Sequence, residues 1–171
     1  MKIGIVFGCF IPLHIGHKYL IDQAIQNNDK VIIGVCGYDN DRGKDFIPFK
    51  DRIALMKKIY SNPNITVVPI DDKKLGLDGS FSYNNWILWG NELFNNAKFN
   101  PNDLDNQYTW YMGEPSYTEK LSAIYKCHKY MTFDRNVISI SGTKIRQNLN
   151  DNLKYVDNEF IQYLKMNRKS I

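Results

Sequence analysis

Phe7-Gly8-Cys9-Phe10-Ile11-Pro12-Leu13-His14-Ile15-Gly16-His17 follows an apolar run, Ile3 to Phe7, and opens an amphipathic segment that begins near Gly16. The pattern predicts a buried strand, a tight glycine-containing turn and a helix start. A turn of that kind offers backbone N–H groups and the positive end of a helix to whatever lies above it. His14 and His17 stand three apart at the helix mouth, a spacing that puts two side chains on one face, so both can meet one anion. A nucleotide-phosphate cradle is the expected chemistry.

The neighbouring segments decide what surrounds that cradle. Strands are expected at 2–7, 30–36, 65–69, 108–112 and 129–133. The first two read as continuous apolar runs, the mark of strands buried on both faces. Helices are expected at 16–26, 49–60, 84–96, 118–125 and 155–165, with a capped helix start at Ser141-Gly142-Thr143-Lys144-Ile145-Arg146. Strands that alternate with helices predict an α/β fold: a doubly wound, mostly parallel five-stranded sheet of Rossmann-like type. In such sheets ligands bind beyond the carboxyl ends of the strands, where strand order reverses. The turn after the first strand and Ser141–Arg146 are therefore expected to be neighbours.

The chain is 171 residues long, so one domain over 1–171 is expected, with the helices from about 141 packing on it. A net charge of +4 is spread along the chain without a Lys/Arg block. That suits a phosphate-bearing small molecule, and neither a nucleic-acid nor a membrane partner is expected. Cys9, Cys36 and Cys127 are odd in number and unclustered, which argues for a reducing compartment without disulfides. The chain enters a strand at once, leaving no room for a signal peptide, and no apolar run approaches the ~20 residues that span a bilayer. A cytoplasmic location is the expectation. A homo-oligomer is compatible with all of this.

Several motifs are absent. Gly43-Lys44 lacks the upstream glycine of a P-loop and is followed by Asp45, and no GxGxxG follows the first strand. Zinc on Cys9, His14 and His17 would need further ligands at suitable spacing, so no metal site is expected. Around Ser141 the hydroxyls, free N–H groups, Lys144 and Arg146 fall within two turns, the donors and fixed charge that a triphosphate tail needs. An ordinary serine N-cap would read the same way. The loop bearing Arg42, Lys44 and Lys50 follows a strand's carboxyl end, within reach of a second phosphate. Trp86 is expected at a helix start with its ring exposed toward the cleft, fit to stack on an electron-poor aromatic ligand. Trp89 reads as core.

With both end motifs in hand, the chain resembles the HxGH nucleotidyltransferase superfamily. The likeness rests on Gly8 to His17 and on Ile140-Ser-Gly-Thr-Lys-Ile-Arg146, which matches an ISxTxxR pattern. Within it the nicotinamide mononucleotide (NMN) adenylyltransferases are most similar, in particular the adenylyltransferase domain of the bifunctional NAD-biosynthesis regulator and ribosylnicotinamide kinase. Pro48-Phe-Lys-Asp-Arg-Ile53, Asn85-Trp86 with Trp89, and Gly113-Glu114-Pro115 carry that finer likeness.

The resemblance implies ATP and NMN as substrates, NAD as product and Mg²⁺ accompanying ATP. It implies His17 on the phosphates around the reacting α-phosphorus and His14 on the triphosphate. Ser141, Thr143 and Arg146 would take the β- and γ-phosphates, with His17, His14 and Arg146 as the catalytic set. Gly8, Cys9, Phe10 and Ile140 would border ATP, and Gly113 and Glu114 its adenosine half. Trp86 would stack on nicotinamide with Phe10 nearby, and Arg42 or Lys44 would approach the NMN phosphate. Cys9 departs from the usual Thr or Ser, and Gly142 from a commoner Ser or Ala. Neither a kinase nor a DNA-binding domain is expected, hence a stand-alone transferase.

Alternatives are a sibling enzyme using phosphopantetheine, or glycerol 3-phosphate with CTP, and a non-catalytic nucleotide sensor. A class I synthetase reading leans on His14-Ile-Gly-His17 and on Lys165-Met-Asn-Arg-Lys-Ser170, but the second echo has one residue too many.

Overall fold

The computed structural model describes residues 1–37, 46–77, 82–134, 136 and 138–168. Five strands, β1 (Lys2–Gly8), β2 (Lys30–Cys36), β3 (Ile65–Ile70), β4 (Gln107–Met112) and β5 (Lys129–Thr132), form one sheet in the order β3-β2-β1-β4-β5. Every pairing is parallel. The expected mostly parallel sheet is wholly parallel among the described residues.

Alternation along each strand explains the layers. Ile3 and Ile5 of β1, Ile32 and Cys36 of β2 and Trp110 of β4 face one core. Val6, then Val31, Ile33 and Val35, then Tyr111 face the other. A strand with both faces buried must be apolar throughout, which is why β1 and β2 show no polar alternation. Helix α3 (Tyr83–Ala97) and helix α4 (Pro115–Ile124) cover the first face, through Leu93, Phe94 and Leu121. Helices α1 (Ile15–Asn27) and α2 (Phe49–Ile59) cover the second. Gly4 lets α1 lie close to β1, since a Cβ there would stand 2.8 Å from the Asn28 amide nitrogen.

Helices α1 and α2 on one face carry the chain outward from β1 to β3. It then returns past β1 to β4 on the other. Strand order therefore reverses between β1 and β4, and their carboxyl ends, Gly8 and Met112, flank the crevice where such sheets bind ligands.

Beyond β5 lie α5 (Gly142–Gln147), α6 (Leu149–Asn152), a 3₁₀ turn (Leu153–Tyr155) and α7 (Asn158–Asn167). Ile145, Val156, Phe160 and Leu164 pack them into the core shared with α1 and α2. Two boundaries differ from expectation. Helix α4 starts at Pro115 because proline is suited to the first helical turn. Helix α7 starts at Asn158, where the Asp157 carboxylate accepts from the Glu159 N–H as an N-cap. No described helix is long and apolar enough to cross a membrane.

His128 sits among rings on the α3–α4 face. Its Nδ1 accepts from Trp110 Nε1–H at 3.0 Å, and its Nε2 lies 2.8 Å from the Pro101 carbonyl oxygen. This assigns the ring proton to Nε2, which donates. Burial holds the imidazole below its ordinary value of 6.5. A proton added at Nδ1 would face the indole N–H. The unfolded chain binds that proton more readily, so stability is complete above about pH 6.5 and is lost as pH falls toward the lowered value. Between about pH 7.5 and about pH 5 the thermal midpoint should fall further in the wild type than in His128→Gln.

Candidate active site

The turn after β1 is held by two guanidinium groups. Arg52 of α2 is fully buried at 0% exposure. Its Nη1 donates to the carbonyls of Cys9 at 2.6 Å and Cys36 at 2.8 Å, and its Nε donates to that of Ile47 at 3.1 Å. From the other side Arg146 Nη1 donates to the Ile11 carbonyl at 2.6 Å. Charge-assisted bonds of this kind are roughly twice as strong as neutral ones. Between the two anchors Phe10 takes a left-handed φ of 51°, unusual for a residue with a side chain. Its ring is wholly buried and meets His17 edge-on at 4.9 Å.

His14 caps α1: its Nδ1 accepts from the Gly16 N–H at 3.1 Å. The Nε2 of a neutral His14 therefore carries the proton and is the donor. The two imidazoles stack at 3.8 Å between centroids, with 27° between planes. The C-terminal segment pins the same turn from behind. Asp157 N–H donates to Leu13 O at 3.0 Å, and Lys18 pairs with the Asp157 carboxylate at 2.7 Å.

The second motif meets the first, as expected. Ser141 Oγ accepts from the Lys144 N–H at 3.2 Å, so the serine is an N-cap, and its own O–H remains a donor. Arg146 Nη2 donates to Thr143 Oγ1 at 3.3 Å. A Cβ at Gly142 would stand 2.9 Å from the Ile11 carbonyl oxygen. Glycine at that position lets α5 press directly on the turn.

Gly8, Cys9, Phe10, His14, His17, Trp86, Gly113, Glu114, Ile140, Ser141, Thr143 and Arg146 all border one cavity of about 510 Å³. It spans both helical layers across the ends of β1 and β4, within the range of small-ligand sites. Arg42 and Lys44 lie outside the described residues. Lys144 and Lys50 do not border the cavity: Lys144 Nζ donates to Ser139 O at 3.4 Å, and Lys50 is exposed on α2.

Trp86 borders the cavity, but the residue is more buried than expected, at 7% exposure. The first turn of α3 presses it on Phe7 at 6.2 Å, and Tyr117 of α4 covers it at 5.3 Å. It reaches the cavity from within the wall. Trp89 is core, as expected, and also borders the cavity.

Sequence reading placed Arg52 and Asn85 in stretches that carry the likeness but gave them no role, and it passed over Asp72 and Tyr117. Asp72 is 8% exposed in the turn after β3 and borders the cavity with Cys36. Burial, with Cys9 and Asp72 nearby, pushes the Cys36 thiol well up. The overlooked signal for Arg52 is its place four residues before the buried Met56, on the inward stripe of α2.

Comparison with known proteins gives a match to the cytidylyltransferase-like family model over residues 5–148. A probable nicotinate-nucleotide adenylyltransferase of Fusobacterium nucleatum is 30% identical over 119 residues, 64% of this chain and 60% of the relative. Two solved structures of NadR protein are each 32% identical over 93% of this chain. One, in complex with NR, has a TM-score of 0.74, and the other, with NAD and AMP-PNP, has 0.70. This chain spans 44% and 45% of those two solved chains.

Proposed function

The chain belongs to the cytidylyltransferase-like family, and from that membership we propose that it transfers the adenylyl group of ATP to the 5′-phosphate of NMN, releasing NAD and pyrophosphate. The observation that carries the reading is the meeting of two motifs on one cavity. His14, His17, Ser141, Thr143 and Arg146 border it from the α1 and α5 side, and Trp86 and Tyr117 from the α3 and α4 side. Cationic and hydroxyl donors suit a triphosphate, and an aromatic wall suits a pyridine ring. One NadR structure in complex with NAD and AMP-PNP, of which this chain spans 45%, supports a nucleotide ligand in general.

In the proposed reaction an oxygen of the NMN phosphate attacks the α-phosphorus of ATP, and the bond to the β-phosphate oxygen breaks. The phosphate is already an anion at neutral pH, so no base is needed. Catalysis comes from alignment and from donors aimed at the charge on the transferring and leaving phosphates. His17 takes the oxygens around the α-phosphorus, and Arg146, Ser141 and Thr143 hold the departing pyrophosphate. Mg²⁺ carried by ATP would neutralise charge on the same phosphates.

The reading takes the amide acceptor over the nicotinate form because Asp72 and Asn85 line the same cavity as Trp86. A carboxylate partner repels nicotinate and accepts from an amide N–H. An acceptor panel with Mg-ATP tests this: NMN, nicotinic acid mononucleotide, phosphopantetheine, and glycerol 3-phosphate with CTP. NAD formed from NMN at least about tenfold faster than any other product is expected. Product from nicotinic acid mononucleotide alone would overturn the amide preference, and binding without turnover would leave a sensor.

Trp86→Ala should raise KM for NMN by roughly 5–100-fold, the value of one lost stacking contact, with a much smaller change in KM for ATP. Trp86→Phe should recover most of it. Equal shifts in both KM values would show that the ring serves packing alone.

A further inference from the structure

We propose that Arg52 is a positioning residue for this reaction, acting through the Cys9–Phe10 peptide without touching substrate. The inference rests on the adenylyl-transfer reading of the cavity. Arg52 is 0% exposed, yet it is a permanent cation. Burying such an ion costs several kcal/mol, and well-packed apolar residues commonly replace buried ion networks at no loss of stability. An apolar side chain in its place would leave the Cys9, Cys36 and Ile47 carbonyls without this donor, so the arginine does more than fill space.

What arginine alone supplies is a rigid fork of donors. That fork joins three separate segments at the carboxyl edge of the sheet: the Cys9 carbonyl beyond β1, the Cys36 carbonyl ending β2, and the Ile47 carbonyl before α2. The guanidinium also lies over the Phe49 ring at 5.3 Å, which limits its movement.

The consequence for the site follows from peptide geometry. In a trans peptide the carbonyl and the next N–H point in opposite directions. Holding the Cys9 oxygen on Arg52 turns the Phe10 N–H to the other side of the turn. Cys9 and Phe10 both border the cavity, so this N–H becomes a fixed donor for a phosphate oxygen. The left-handed φ of Phe10 is held at a cost of about 1–2 kcal/mol, with the Arg52 bond before it and the Arg146 bond to Ile11 after it. Without Arg52 the peptide is free to flip, and the donor is aimed only part of the time.

The test compares Arg52→Met and Arg52→Lys with the wild type, using turnover per folded site, both KM values and the thermal midpoint. Arg52→Met leaves three carbonyls without this donor, so the midpoint should fall, and beyond that fall kcat per folded site is expected to drop by about 10–100-fold, with KM for ATP and NMN changed by less than about threefold. Arg52→Lys keeps the charge but reaches one carbonyl, so it should fall between. A kcat per folded site within about twofold of wild type in Arg52→Met would overturn the proposal. So would a loss confined to thermal midpoint. Should Arg52→Met not fold, ¹⁵N-labelled wild-type protein titrated with pyrophosphate decides the matter. The Phe10 amide resonance should move and saturate with the others, and its failure to move at saturation would overturn the proposal. A wild-type chain that forms no dinucleotide would instead remove the adenylyl-transfer reading beneath it.

Discussion

His17→Ala is expected to fold as the wild type does and to lose at least about 100-fold in kcat, the usual effect of removing one preorganised donor. The ring stacks on His14 and meets Phe10 edge-on, so truncation removes ring contacts at the rim of a cavity and not a core layer. Its surroundings are held by other groups. Gly16 N–H bonds His14, Arg146 bonds Ile11 and Asp157 N–H bonds Leu13. The turn should therefore keep its shape when the imidazole is gone. Turnover near wild type would remove His17 from the chemistry.

Arg146→Ala is expected to do two things together. It removes a cation from the α1 and α5 side of the cavity, which on the proposed reading should lower kcat/KM for ATP by about 10²–10³ or more. It also leaves the Ile11 carbonyl without its 2.6 Å partner in a residue only 2% exposed. An orphaned buried acceptor costs about 1–3 kcal/mol, so the thermal midpoint should fall as well. Arg146→Lys should restore little, since one ammonium cannot serve Ile11, Thr143 and a phosphate at once. Steady-state kinetics with varied ATP, read beside melting curves, check both halves. A full kcat/KM with a lowered midpoint would make Arg146 a strut and not a phosphate ligand.

The fold was legible because its signals are local or periodic. Runs such as Val31 to Cys36 can be apolar throughout only if both faces are covered, and that dictates helices on either side. Ligands bind where strand order reverses, and that rule alone puts Gly8–His17 and Ser141–Arg146 together. The Arg146–Ile11 bond is that contact, across 135 positions of sequence.

What escaped sequence reading depends on tertiary partners. Trp86 looked exposed because its helix start said nothing of Tyr117, which closes over it from α4. The spacing of the two histidines said only that both could meet one anion. Only the folded turn makes His14 a cap through Nδ1 and leaves His17 edge-on to Phe10. Arg52 was quoted only within Pro48–Ile53, and that the carbonyls after two strand ends converge on it appears only in the fold.

One measurement bears most directly on the adenylyl transfer itself. The chain is incubated with NMN and ATP labelled at the α-phosphate, and the products are separated. The account predicts label in NAD, unlabelled pyrophosphate in equal amount, and no product without NMN. Label remaining in ATP, or appearing only in AMP, would contradict it.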